Sequence, residues 1–249
     1  MLREERLRLI LDRLQKNQRV SSTALIHELN VSEGTIRRDL NELQESGLLQ
    51  KVHGGAVPRP EAPRVFAGRK DYASESKNLL AIKAVSLLRE GQLILIDGGT
   101  SNWHMARQIP TGIRLTVVTN SLPIASELTD HPNIDLFVLG GRVFKGARVT
   151  LDIQSSDLLD EIHADLAFIG IRSIHPQKGL TTLELEEARL KRHMVRSSEK
   201  TVVLCTNDKL NTSDQYSICG IDELDILIAE DTADPDILET YRKLGIEIL

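Results

Sequence analysis

Residues 31–43 read VSEGTIRRDLNEL, and this stretch decides how the first quarter of the chain folds. On a helix of about 3.6 residues per turn, Ile36, Leu40 and Leu43 fall on one stripe. Ser32 stands where a capping hydroxyl is wanted. With the stripe turned inward, Gly34, Arg38 and Asn41 point furthest outward, and Thr35 and Arg37 take the two flanks. Such a face suits a groove of double-stranded DNA. Gly34 admits a close backbone approach, Thr35 and Arg37 reach phosphates, and Arg38 and Asn41 are able to read base edges. Asp39 falls nearer the core edge, where it can orient an arginine. Adjacent arginines alone describe any solvated helix surface, so the neighbours of the stretch must decide.

Upstream, Leu7, Ile10, Leu11 and Leu14 recur at helical spacing between Arg3 and Lys16. Ser21 can cap a second, two-turn helix that buries Leu25, Ile26 and Leu29 and stops near Asn30. Downstream, Gly47 ends the third helix, and residues 48–56, LLQKVHGGA, read as a small hairpin or wing carrying Lys51 and His53. Three short helices, a tight turn between the last two and a wing make a winged helix-turn-helix. Pro58, Pro60 and Pro63 cannot continue a helix or a central strand. The first domain is therefore expected at 1–57 and a linker at 58–74, with the rest, 75–249, forming a second domain.

In that second domain a helix is predicted over 75–89. Short apolar runs at 92–96, 115–119, 135–139, 166–169, 201–205 and 225–229 read as parallel strands covered on both faces. Helical stretches alternate with them, 184–198 most plainly, which gives an open, mostly parallel α/β sheet. Ligands of such sheets bind beyond the carboxyl ends of the strands. Those positions hold Asp97-Gly98-Gly99-Thr100-Ser101-Asn102, Asn120-Ser121, Gly140-Gly141-Arg142, Gly170-Ile171-Arg172 and Asn207-Asp208-Lys209. Glycine turns and helix starts favour anions, Arg142, Lys145, Arg148 and Lys209 add positive charge, and Asp97 and Asn120 suit hydroxyls. A small phosphorylated sugar or polyol fits that mixture.

With 249 residues, 41% of them hydrophobic and 27% charged, the chain is too apolar to be disordered throughout, and 3% aromatics make its core aliphatic. It contains no run of about 18 apolar residues, and the first ten residues are charged where a signal peptide is apolar. The protein is expected in the cytoplasm and away from membranes. Cys205 and Cys219 lie outside any C-x-x-C pattern, which argues against a disulfide framework or a metal site. The net charge of -5 excludes binding of nucleic acid through a global field. Residues 1–57 hold nine Lys or Arg against eight Asp or Glu, so recognition must rest on where the charges fall. Gly-x-Gly-x-x-Gly is absent after the first apolar run, against a nicotinamide enzyme, and no cofactor is expected.

The pattern Val31-Ser32-x-x-Thr35-Ile36-Arg37-Arg38-Asp39-Leu40, followed by His53-Gly54-Gly55-Ala56, resembles the signature of the DeoR family of bacterial transcriptional regulators. The Asp97-Gly98-Gly99-Thr100, Thr119-Asn120-Ser121 and Gly140-Gly141 turns, with Phe168-Ile169-Gly170 and Gly179-Leu180-Thr181-Thr182, resemble its effector domain, which is related to sugar-phosphate isomerases and coenzyme A transferases. The resemblance implies DNA contacts at Thr35, Arg37 and Arg38, and wing contacts at Lys51 and His53. It implies a sugar-phosphate site lined by Asp97, Gly98, Gly99, Thr100, Asn120, Gly141 and Lys209, beside which Ser101 and Arg142 are candidates. The family binds its ligand rather than converting it. Three positions depart from the pattern: Ser101 replaces a threonine, Asp152 stands near a usual glycine, and Thr206 replaces the aspartate three residues before Lys209.

Two functions remain open on the residues. In one, the chain represses sugar or polyol catabolism genes and is relieved by a phosphorylated effector. A lone winged domain near +1 would bind weakly, so a homodimer or homotetramer is expected there. In the other, a sugar-phosphate isomerase or transferase carries a helical appendage, with Asp97 or Asp208 as base and Lys209 on phosphate. Against it, no second acid–base partner is apparent beside those residues, and an enzyme has no use for the Gly34/Arg38/Asn41 face.

Overall fold

The computed structural model describes residues 2–45, 48–52, 54–58, 65–151 and 156–249. Contacts divide the chain into two units, Met1–Glu61 with Asn211–Ser213, and Ala62–Leu210 with Asp214–Leu249.

In the first unit α1 (Arg3–Asn17) leads through β1 (Val20–Ser21) to α2 (Ser22–Leu29) and α3 (Glu33–Glu45), and β2 (Gln50–Val52) and β3 (Gly55–Val57) follow. Its core holds most of the expected residues, although Leu7, Leu11, Ile26 and Leu29 are only half-buried against it. Ile10, Leu14, Leu25, Ile36, Leu40 and Leu43 are buried together with Leu49 and Ala56. Ser32 caps α3 as expected, its hydroxyl accepting from the Thr35 N–H at 3.2 Å. Ser21 does not use its hydroxyl to cap α2. It belongs instead to β1, which pairs antiparallel with β3, so the sheet has three strands in the order β1-β3-β2 and the wing is its β2–β3 hairpin. A Cβ on Gly55 would come within 1.9 Å of the Val20 carbonyl oxygen, which explains the glycine at that crossing.

The second unit opens with α4 (Phe66–Asp71), inside the stretch expected to be linker, and α5 (Ser74–Val85), four residues shorter at its end than predicted. There follow β4 (Leu93–Ile96), α6 (Thr100–Ala106), β5 (Leu115–Thr119), α7 (Leu122–Leu128) and β6 (Ile134–Val138). A hairpin of β7 (Arg142–Phe144) and β8 (Val149–Leu151) precedes α8 (Ser156–Asp160) and β9 (Ala164–Phe168). Next come β10 (Ser173–His175), β11 (Gly179–Thr182), α9 (Leu185–Arg196), β12 (Ser198–Cys205) and β13 (Tyr216–Cys219). The chain closes with β14 (Ile226–Ala229), α10 (Pro235–Lys243) and β15 (Glu247–Ile248).

Seven of these strands form one parallel sheet, ordered β15-β14-β12-β9-β4-β5-β6. The near-continuous apolar runs have a direct cause. Ile94 and Ile96 face the layer of α5, α6 and α7, while Leu95 faces that of α9 and α10; Leu166 and Phe168 oppose Ala167 in the same way, and Val202 and Leu204 oppose Val203. After β4 the chain moves outward to β5 and β6, then returns to β9 on the other side of β4 and runs on to β12, β14 and β15. The strand order therefore reverses between β4 and β9. In a doubly wound sheet the ligand crevice lies outside the carboxyl ends at that reversal.

Candidate nucleic-acid interface and ligand site

The outward face of α3 is built as its periodicity requires. Gly34, Arg37, Arg38 and Asn41 are exposed and Thr35 is half-buried, while Asp39 is turned into the core. Asp39 does orient an arginine, but the partner is Arg6 of α1, whose Nη2 donates to Oδ1 at 3.0 Å and whose Nε donates to Oδ2. That hydrogen bond to Asp39 raises the Arg6 guanidinium above its usual pKa, against the lowering effect of burial. Arg37 and Arg38 are thereby left to the solvent face. Arg38 Nε donates to the Gly34 carbonyl at 3.1 Å, laying its stem back along the helix, and the Ser32 and Thr35 hydroxyls meet at 2.9 Å. Lys51 of the wing donates its Nζ to Asn41 Oδ1, so wing and helix present one polar surface. His53 lies outside the described residues.

At the β4–β9 reversal, Asp97 is fully buried. Its Oδ2 accepts from the Gly170 N–H at 2.8 Å and from Lys191 Nζ of α9, and the same Nζ donates to the Gly170 carbonyl at 2.8 Å. Asn102 ties the two strand ends together, its Nδ2 donating to the carbonyls of Asp97 and Phe168, each at 2.9 Å. Gly170 must be a glycine, because a Cβ there would fall 1.9 Å from the Gly98 carbonyl oxygen and 2.9 Å from Asp97 Oδ2. Glu187, one turn before Lys191, holds its Oε1 4.0 Å from that Nζ. Burial pushes the Glu187 carboxyl up from the ordinary carboxylate range.

Positive charge gathers from elsewhere. Arg69 of α4 interacts electrostatically with Glu187, Arg172 and Asp97, and burial lowers its pKa. Lys209 follows β12 in the 3-10 turn Asn207–Lys209; burial lowers its ammonium most, Asp208 opposes this, and Arg69 and Arg172 lower it further. Arg172 Nε stands 4.0 Å from Asp214 Oδ2. Lys77 of α5 is buried and donates its Nζ to the carbonyls of Arg69, at 2.6 Å, and Tyr72, holding the end of α4; burial brings it down to about 8.

The turns foreseen around this site divide. Asp97, Gly98, Thr100, Ser101 and Asn120 are buried there, Gly99 is half-buried, and Asn120 Oδ1 accepts from the Gly98 N–H at 3.1 Å. That N–H is thus spent within the fold rather than offered to an anion. Gly141 and Arg142 are exposed, and Arg142 pairs with Glu186. Arg148 stacks its guanidinium 5.4 Å from the Phe66 ring centroid. Asp152 lies outside the described residues. Sequence reading missed Arg69, in what looked like linker, and the Lys191–Glu187 pair. The signal for Lys191 is visible in hindsight: it lies in register with Ala188, Met194 and Val195, all on the buried stripe of α9. An acid–base partner therefore does accompany Asp97, contrary to the sequence reading. Among the described residues no group of three His, Cys, Asp or Glu could hold a metal ion, and no helix is long and apolar enough to cross a membrane.

Comparison with known proteins bears on both regions. Residues 6–59 match the family described as "DeoR-like helix-turn-helix domain", and residues 72–231 match "DeoR C terminal sensor domain". The chain is similar to the HTH-type transcriptional regulator GlpR of Haloferax volcanii, 32% identical over 100% of this chain and 98% of that protein. It is 30% identical to the HTH-type transcriptional repressor GlcR of Bacillus subtilis, over 100% of this chain and 96% of that one. To the L-fucose operon activator of Haemophilus influenzae it is 29% identical, over 94% of each. Among solved structures, ribose 5-phosphate isomerase A of Methanocaldococcus jannaschii aligns with a TM-score of 0.41 and 17% identity, over 55% of this chain and 54% of that chain.

Proposed function

Since the chain belongs to the DeoR family and is a DNA-binding transcriptional regulator, not an enzyme, we propose that it represses genes of sugar or polyol catabolism and is relieved by a phosphorylated sugar or polyol. Residues 1–57 bind operator DNA through the α3 face, with Arg38 and Asn41 on base edges, Ser32, Thr35 and Arg37 on the backbone, and Lys51 and His53 on the wing. The effector occupies the crevice at the β4–β9 reversal, among Asp97, Thr100, Ser101 and Lys209. Gly98 and Gly99 keep that turn close to the sheet, and Asn120 braces it. Gly141 and Arg142 belong to the rim of this site in our reading. The protein acts in the cytoplasm as a homodimer or homotetramer, since paired recognition helices are needed to convert two weak half-site contacts into tight binding.

One observation carries this reading: the chain that exposes Gly34, Arg37, Arg38 and Asn41 on a helix also buries a carboxylate–lysine pair where sheets of this kind take ligands. The relative named as a repressor agrees with repression, and the one named as the activator of an L-fucose operon agrees only with control of a sugar operon. A thermal-shift screen of the full chain against ribose 5-phosphate, glucose 6-phosphate, fructose 6-phosphate and glycerol 3-phosphate tests it, because a ligand that prefers the native state raises its melting temperature. A compound that raises it and is recovered unchanged supports regulation. Conversion of that compound overturns it.

A further inference from the structure

Three buried side-chain atoms among the described residues have no hydrogen-bond partner: Asp97 Oδ1, Ser101 Oγ and Arg69 Nε. Native proteins rarely leave such atoms alone, since a polar group taken out of water without a partner loses the hydrogen bonds that water gave it. All three belong to one neighbourhood. Ser101 lies in the first turn of α6, four residues beyond Asp97, and Arg69 is electrostatically coupled to Asp97. Asp97 and Ser101 are 0% and 6% exposed, so solvent does not satisfy them.

The chemistry of the missing partner follows from the atoms. Asp97 Oδ1 is an acceptor beside a carboxylate oxygen already engaged by Lys191 and Gly170, so it requires a donor. Ser101 Oγ can donate in return. One aliphatic hydroxyl does both, giving its proton to Asp97 Oδ1 and receiving that of Ser101, whereas an ionised phosphate oxygen has no proton to give Oδ1. We propose that Asp97 and Ser101 form a hydroxyl-reading pair that sets effector specificity, and that the effector lies with this hydroxyl end against the Asp97–Ser101 turn and its phosphate turned away, towards Arg69. Lys191 is the positioning residue: held on the Gly170 carbonyl, it fixes the carboxylate so that one oxygen alone faces the ligand. This polarity rests on the sugar-phosphate reading above. It keeps the expectation that Asp97 suits a hydroxyl and departs from the expectation that the glycine turn and helix start after β4 favour an anion.

Isothermal titration of the full-length protein tests the polarity, with inorganic phosphate and the four sugar and glycerol phosphates as probes, on wild type, Ser101→Ala and Ser101→Thr. The account expects Ser101→Ala to weaken the tightest sugar phosphate about tenfold, or about 1.4 kcal/mol, and to leave inorganic phosphate within twofold. Ser101→Thr, which keeps the hydroxyl, restores binding. Equal losses for inorganic phosphate and sugar phosphate, or no loss for either, overturn the polarity while leaving the effector reading intact. If no sugar or glycerol phosphate binds wild type more tightly than inorganic phosphate does, the effector reading itself fails and this inference falls with it. Unchanged thermal unfolding of Ser101→Ala separates a binding defect from a folding one.

Discussion

Lys191 of α9 grips the carboxylate of Asp97 at the end of β4, both side chains almost wholly buried, and so fastens one helical layer to the point where the strand order reverses. Removing one member of such a pair strands the other charge, which costs about 3–5 kcal/mol. Lys191→Met is therefore expected to lower the melting temperature of the second unit by at least roughly 6 °C. In the Asp97→Asn/Lys191→Met double variant the losses should be well below additive, as measured by calorimetry. Additive losses would mean that the two groups are not coupled.

Arg38→Ala should weaken specific DNA binding by about 1–3 kcal/mol and relax sequence preference at one position. Arg37→Ala, by contrast, should weaken all duplexes alike and reduce the salt dependence by about one counterion. Fluorescence anisotropy over a salt series distinguishes the two. Identical behaviour of the variants would remove the division into base-reading and backbone-reading arginines.

Asp39→Ala leaves the half-buried Arg6 without its counter-charge and removes one of the ties between α3 and α1. Small domains have little stability in reserve, and even a loss of about 1–3 kcal/mol, reduced from that of a fully buried pair by the solvent at Arg6, populates the unfolded state of this one appreciably. The expected readout is loss of DNA binding with an unchanged thermal transition for the second unit. Retained affinity would show that the ion pair does not hold the recognition helix in place.

Gly170→Ala forces a Cβ to within 1.9 Å of the Gly98 carbonyl oxygen, so the ends of β4 and β9 must separate. Effector binding should be lost, with about 1–3 kcal/mol of stability, while DNA binding persists. Calorimetric titration of the variant with the sugar phosphate preferred by wild type measures it. Wild-type affinity would place the ligand elsewhere.

Burial holds Lys77 at about 8, below the ordinary 10.5 of a lysine. Between those values the unfolded chain binds the proton and the folded chain does not, so this group makes stability rise with pH across that window. Urea unfolding at pH 8 and pH 10 should show a gain in wild type that is smaller in Lys77→Met. The same gain in both proteins would dissociate Lys77 from it.

Much of this was legible in the residues, for definite reasons. The stripe Ile36, Leu40, Leu43 and the cap Ser32 are local signals, and five of the six apolar runs announce strands because both their faces are covered; the sixth, β6, is the edge of the sheet and leaves Phe137 and Val138 exposed, contrary to the expectation. Strands β7, β8, β10, β11 and β13 gave no such signal. They are three or four residues long, each carries Ser, Thr, Arg or His among few apolar residues, and β11 and β13 pair with each other across a long stretch of chain. Ser21 looked like a cap because nothing local reveals its pairing with Gly55. The turn residues of the proposed ligand site are legible at the strand ends, but Lys191 and Arg69 arrive from a helix and from the expected linker, where only the packing of the whole sheet brings them near Asp97.

The central claim is that one chain reads DNA with α3 and releases it in response to a sugar phosphate. The most direct test selects duplexes from a random library with the full-length protein, then measures affinity for the enriched sequence with and without each sugar and glycerol phosphate. The account predicts an enriched sequence whose affinity falls at least tenfold, about 1.4 kcal/mol, with one of these compounds. An enriched sequence whose affinity none of them changes, or no enrichment at all, would contradict it.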